Sequence, residues 1–430
     1  MPLAVTGAAL LVLGAVAVAT GLLPWVGLGA LADRVVPILV FVAAITVVTE
    51  LLNASGLFDW IAEHFRRWGR GRAFTLWILV ACLSLAATIF LSLDTTAVLL
   101  TPIVVVLARR CGLPPLPFAL TTVWLANTGS LLLPVSNLTN LLALHTFGDV
   151  SPAEFAGRMA LPALWCAVVP LAAVVVLFRK ELTGRYRPVS PARTLSEDAP
   201  APADAAPADP APADRDPAPA DRDPTPADPT PADRDPAPAD RVLLGIGGAV
   251  LAALLPALVS GVPVWIPATA AAAVLVVAFG RRRRRALRWS LVPWQLIVFA
   301  SGLFVVVEAL QHLGAKELAS GLLGAGSGPL DLLRVSGVGV LGANVVNNLP
   351  AYLALEQAAG TPARLAALLV GVNAGPLITP WASLATLIWH EQLRRLGVGI
   401  SWWGYAAAGL VLVPIMIVPA ALLASLFPAP

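Results

Sequence analysis

Thirteen apolar runs dominate this chain: 3–23, 35–56, 73–92, 95–108, 116–145, 158–178, 242–260, 263–279, 292–313, 328–343, 347–359, 362–393 and 403–426. Several reach the ~20 residues that carry a helix across a ~30 Å hydrocarbon core. Inside such a core the backbone must bond to itself, and continuous rather than alternating apolar sequence does this as helix. Charged residues make up 12% of the chain, against ~25% in soluble domains. That is too few to cover a folded surface of this size, so an ordinary soluble enzyme is excluded. The first run lacks a basic flank and a small-residue cleavage site, and reads as a span that stays rather than a signal peptide. The expected fold class is an all-α polytopic membrane protein.

One stretch is made of different material. Residues 184–241 hold 15 prolines, 7 arginines and 12 acidic residues in repeats such as Pro212–Pro217. The stretch has almost nothing to bury and should stay disordered. It divides the chain into an N-terminal membrane half (1–183), a cytoplasmic linker (184–241) and a C-terminal membrane half (242–430). Lys/Arg placement sets orientation. The basic clusters are Arg66–Arg72, Arg109-Arg110, Arg179-Lys180 with Arg185 and Arg187, Arg281–Arg285 with Arg288, and Arg394-Arg395. One arrangement keeps them all in the cytoplasm. It has the N-terminus inside, nine crossings, re-entrant hairpins at 73–108 and 328–359, and the C-terminus outside the cytoplasmic membrane.

The body's basic residues lie at the ends of apolar runs, with Arg34 and Arg158 read as scattered residues of connections, so nucleic acid is not an expected partner. Asp59–Arg72 mixes Trp60, Phe65 and Trp68 with charges and reads as an amphipathic helix in the interface. Cys82, Cys111 and Cys166 are too dispersed for a disulfide framework or a metal cluster and read as small buried apolar side chains. His64, His145, His312 and His390 read as interfacial. No cofactor or metal is expected.

The second half echoes the first. Asn127–Leu141 aligns without a gap on Asn373–Leu387 at an offset of 246, with 6 of 15 residues identical. Glu50 and Gly56 match Glu308 and Gly314 at an offset of 258. An odd number of crossings separates the equivalents, so the repeats are inverted, as in secondary transporters with interrupted helices. Gly129 and Pro134 bracket one interruption; Gly375, Pro376 and Pro380 bracket the other. Proline opens a helix, and an open helix is tolerated in a bilayer only against protein or a wet cavity. Small polar residues flank both breaks: Asn127, Ser136, Asn137 and Thr139, then Asn373, Thr379, Ser383 and Thr386. The hairpin tips add Asp94, Thr95 and Thr96, and Asn347 and Asn348. These are the candidate substrate- and ion-binding residues. A carboxylate at mid-helix costs about 2.5–3.5 kcal/mol, so Asp94 is the candidate proton or cation carrier. Glu50 and Glu308 are candidates for a shared gating role.

Several motifs resemble the arsenical membrane pump (arsenite/antimonite efflux permease) family of the ion transporter superfamily, which includes citrate, dicarboxylate and sodium/proton carriers. They are Ser55–Trp60, Val135–Asn140, Asn347–Pro350, Ile378–Trp389 and Ile400–Trp402. The resemblance covers about 35–183 and 242–426. It implies two hairpins, two broken helices and proton-coupled efflux of trivalent arsenic or antimony hydroxide; some members work with a cytosolic pump ATPase. Family members often carry acids where this chain has Asn127 and Asn373, and Lys where it has Leu377. Asp94 is thereby left as the main candidate for the proton.

A sodium- or proton-coupled carboxylate carrier, or a sodium/proton antiporter, is the alternative reading within the superfamily. A membrane enzyme is disfavoured, because neither His-Glu-x-x-His nor Gly-x-Ser-x-Gly occurs. A non-transporting scaffold would use the linker to dock a partner.

Overall fold

Continuous apolar sequence gives continuous helix in the computed structural model, which describes residues 3–148, 150–186, 240–424 and 426. No strand occurs among the described residues; Arg72 and Arg185 form an isolated bridge. The expected linker lies, apart from its two ends, outside the described residues.

The first half runs α1 (Leu3–Ala19), α2 (Trp25–Ala54), α3 (Leu57–Trp68) and α4 (Ala73–Leu91). Then come α5 (93–110, with a π-helical turn at Thr96–Leu100), α6 (Leu116–Thr128), α7 (Leu138–Thr146) and α8 (Pro152–Leu177). The second half runs α9 (Arg241–Ala257), α10 (Trp265–Arg282), α11 (Trp294–His312), α12 (Ala315–Leu323) and α13 (Pro329–Val346). It ends with α14 (Asn348–Ala359), α15 (Pro362–Ala374), α16 (Leu384–Arg395) and α17 (Trp402–Ala424).

Seven described helices are long and apolar enough to cross a membrane: α2, α4, α8, α10, α11, α13 and α17. Two of them, α4 and α13, are first arms of the hairpins. Their tips stop at the depth of the helix breaks. Ser136 donates its hydroxyl to Ile89 C=O at 2.7 Å beside the first tip, and Asn347 Nδ2 donates to Trp381 C=O at 2.9 Å beside the second.

The repeat is visible element by element. Helices α1–α8 correspond in order to α10–α17, and α9 has no equivalent. Gly56 and Gly314 take φ of 82° and 91°, left-handed values that glycine adopts without Cβ strain, and each starts a short helix. The expected amphipathic helix spans Leu57–Trp68 rather than 59–72, because the left-handed turn of Gly56 releases the chain earlier and the segment after Trp68 turns at Gly69–Arg72. Its Arg66 hydrogen-bonds Glu63 and holds that carboxyl below the usual carboxylate range. Helix α8 begins six residues ahead of its apolar run, because Ser151 and Glu154 form a reciprocal capping box.

The two halves interlock. Helix α1 packs along α11, and its counterpart α10 packs along α2. The first of these contacts relies on glycine: a Cβ on Gly302 would stand 2.8 Å from Gly7 C=O, and one on Gly7 would stand 2.6 Å from the Phe299 nitrogen. In the same reciprocal way α8 packs on α17, α5 on α16 and α14 on α7.

Candidate functional site

Both helix breaks have the same backbone. Leu133 and Thr379 are extended (φ −117°, ψ 151° and φ −109°, ψ 147°), each followed by a 3₁₀ turn begun by a proline, Pro134–Ser136 and Pro380–Ala382. Asn137 and Ser383 are extended in turn (φ −151°, ψ 144° and φ −139°, ψ 135°) and precede α7 and α16. Pro134 and Pro380 thus sit at the breaks, as the sequence implied. The glycines there serve another purpose. Gly129 and Gly375 are right-handed, with φ of −71° and −69°. A Cβ on Gly129 would meet Leu85 at 2.7 Å, and one on Gly375 would meet the Val340 side chain at 2.9 Å. They are small so that the hairpins can approach.

The hairpin tips are also a matched pair. Ser92 has φ 126° and ψ 162°, and Asn347 has φ 107° and ψ 156°. Both are positive-φ residues without being glycine, a costly conformation that the surrounding contacts must hold. Each side chain caps the next half-helix: Ser92 Oγ accepts from Thr95 N–H, and Asn347 Oδ1 from Leu349 N–H.

The polar residues of the breaks and tips fall into two groups that share Asn137. One group forms a buried lattice. Asn137 Nδ2 and Thr139 Oγ1 both donate to Asn373 Oδ1, each at 2.9 Å, and Asn373 Nδ2 donates to Asn140 Oδ1 at 2.8 Å. Asn127 Nδ2 donates to Thr386 Oγ1 at 3.3 Å and to Val123 C=O. Thr379 bonds Asn344 through its N–H and hydroxyl, and Thr88 donates its hydroxyl to Thr96. Since α6 and α7 belong to one repeat and α15 and α16 to the other, the lattice ties the halves together at their breaks.

The second group faces a cavity of about 680 Å³ where both tips and both breaks meet. Asp94, Thr95, Asn137, Asn347, Asn348 and Ser383 line it, together with Ser92, Thr46, Thr49 and Gln295. Among the described residues two carboxylates face it, Asp94 and Glu50, and no Arg, Lys or His does. Asp94 Oδ1 and Ser383 Oγ lack hydrogen-bond partners among the described residues. The remaining expected site residues, Thr96, Asn127, Ser136, Thr139, Asn373, Thr379 and Thr386, do not line the cavity. Nor does Glu308, so the two symmetry-related glutamates stand in different surroundings.

Sequence reasoning missed an ion pair. Arg34 is part of α2 rather than of a connection, and Arg158 likewise belongs to α8. Arg34 Nη2 meets both carboxylate oxygens of Glu356 at 2.8 Å, with Glu356 only 3% exposed. Glu356 is a single charge in apolar sequence, and that was the available signal; Arg34 directly follows Asp33 and gave none.

Two interlocked inverted repeats with interrupted helices, enclosing a polar cavity in an otherwise apolar body, define a multi-pass membrane transporter, not an enzyme. The chain belongs to the citrate transporter family, whose sequence pattern it matches over residues 1–371. It is 30% identical over 405 residues to the arsenical pump membrane protein of Escherichia coli (strain K12), spanning 89% of this chain and 84% of that one. The arsenical pump membrane protein of Yersinia enterocolitica is also 30% identical, over 404 residues with the same coverage. The putative arsenical pump membrane protein of Bacillus subtilis (strain 168) is 24% identical over 423 residues, 91% of this chain and 87% of its own. In fold the chain is similar to the YdaH transporter of Alcanivorax borkumensis, with a TM-score of 0.52 at 17% identity over 99% of this chain and 97% of that one.

Proposed function

We propose that this transporter exports arsenite and antimonite across the cytoplasmic membrane in exchange for protons. One observation carries the reading: among the described residues the cavity lining offers hydroxyls, amides and two carboxylates but no cationic side chain. Trivalent arsenic hydroxide is uncharged at neutral pH. Its hydroxyls can be met by groups that both donate and accept, such as Asn137, Asn348, Ser383 and Thr95. Asp94 takes the proton, because a bare carboxylate at this depth is costly and protonation relieves it. Asn127, Ser136, Thr139, Asn373, Thr379, Thr386 and Thr96 hold the breaks and tips in place behind these contacts. The arsenical pump relatives support the substrate. The positive-inside rule supports a cytoplasmic N-terminus and an external C-terminus.

Everted vesicles provide the test. Arsenite uptake driven by an imposed pH gradient, without ATP, is the expected result; absence of uptake in vesicles rich in the protein overturns the reading. Uptake only with ATP would point to a cytosolic pump ATPase as partner.

The family's description favours a second reading, a carboxylate carrier. Its substrate charge would have to rest on half-helix N-termini at the tips and on bound sodium. Sodium-dependent citrate uptake with no arsenite flux would establish it instead.

A further inference from the structure

The cavity is one-sided. Of α2 it reaches residues 41–50 and none before; of α11 it reaches 294–299 and none after; of α7 it reaches 138 and 141 and none beyond. It therefore runs from mid-depth toward the face where α2 ends and α11 begins, the face of the basic clusters. The opposite face is sealed by α2, α7, α11 and α14. Three contacts cross that seal. Arg34 of α2 pairs with Glu356 of α14, Arg34 Nη2 donates to Leu142 C=O of α7 at 3.4 Å, and Gln311 of α11 donates to Leu353 C=O of α14 at 3.4 Å.

The repeat supplies a control within the molecule. At the α2/α11 offset of 258, Arg34 corresponds to Val292, and at the tip offset of 255, Glu356 corresponds to Thr101. Val292 lines the cavity on the open face, and the Thr101 hydroxyl is buried without a partner. One fold thus carries an ion pair where it is closed and none at the matching place where it is open.

We infer that the Arg34–Glu356 pair is the latch of the closed face, formed in this state and broken when the cavity turns to the opposite side. The pair joins the second helix of one repeat to the hairpin of the other, so movement of the hairpin away from α2 must separate two charges that otherwise satisfy each other. The inference rests on the transporter class alone and is independent of which substrate is carried.

The test needs no substrate. Cys82, Cys111 and Cys166 are replaced by Ala, and the cavity-lining Thr46 is replaced by Cys as a reporter. Labelling by a membrane-impermeant maleimide is followed in vesicles of both orientations. With the latch intact, labelling is expected from the basic-cluster face alone. Glu356→Gln should raise the rate from the other face about tenfold, within the range of ordinary conformational coupling. The charge exchange Arg34→Glu with Glu356→Arg should restore one-faced labelling, which a merely structural role would not predict. Unchanged labelling in assembled Glu356→Gln protein overturns the inference. Where that variant does not assemble, Arg34→Gln removes the charge of the other partner; a rise from the second face is expected, and no rise overturns the inference equally.

Discussion

The two hairpin tips share one backbone and differ in chemistry. Ser92 and Asn347 adopt nearly the same strained conformation and each caps the following half-helix. In that register Asp94 corresponds to Leu349, and both line the cavity. The repeat has duplicated the frame and left the charge on one copy. The helix breaks show a related asymmetry: Leu131 and Val135–Asn137 are buried throughout, whereas Trp381 at the second break is 53% exposed. Symmetry here provides two half-helix openings at one depth, and departure from symmetry leaves a single tip acid, the residue to which the proposed function gives the proton.

The largest test of that difference is to remove it. Asp94→Asn makes both tips uncharged and should lower pH-gradient-driven flux by about 100-fold or more, the scale of a lost proton-transfer group. Moving the acid, with Asp94→Asn and Leu349→Asp together, should not restore coupling. Restored flux would mean that the tips are interchangeable after all.

A smaller effect separates the two asparagines that match at the breaks. Asn373 bonds three partners across the repeat interface, so Asn373→Ala should cost about 2 kcal/mol of stability in detergent. Asn127 makes one longer bond across the interface, and Asn127→Ala should cost about 0.6 kcal/mol. Equal losses would show that the lattice is not centred on Asn373. The smallest expected contrast lies in the frame itself. Gly56→Ala and Gly314→Ala place a Cβ in equally left-handed backbone, so each should cost about 1–2 kcal/mol and the two should agree. A clear inequality would mean that the two short helices have diverged in more than sequence.

Much of the frame was legible in the residues. Asn-x-Gly and Pro recur at one offset without a gap, which located both breaks, and Glu50 with Gly56 located the second register. Proline alone would not have sufficed. Pro37, Pro162, Pro170, Pro256, Pro414 and Pro419 all lie inside unbroken helices. The signal was proline among small polar residues, which supply partners for the backbone groups that an opening frees.

The correspondence of Ser92 with Asn347 was not legible, because two different side chains perform the same cap. Nor was the division of the polar residues between lattice and cavity. Asn137 and Asn140 are three residues apart, yet only Asn137 reaches the cavity, a distinction that depends on the opposing repeat. The Arg34–Glu356 pair joins positions that the repeat does not relate, so no internal comparison could reveal it.

The interlocking of the first helices also bears on how the chain is made. Helix α1 leaves the ribosome about 300 residues before α11, the helix it packs against, is complete. At ordinary synthesis rates that is a wait of roughly 15–60 s. During it, the glycine-notched side of α1 has only lipid or the insertion machinery to face. Neither half can finish alone, and α1 waits through most of the synthesis of both halves before it reaches its partner.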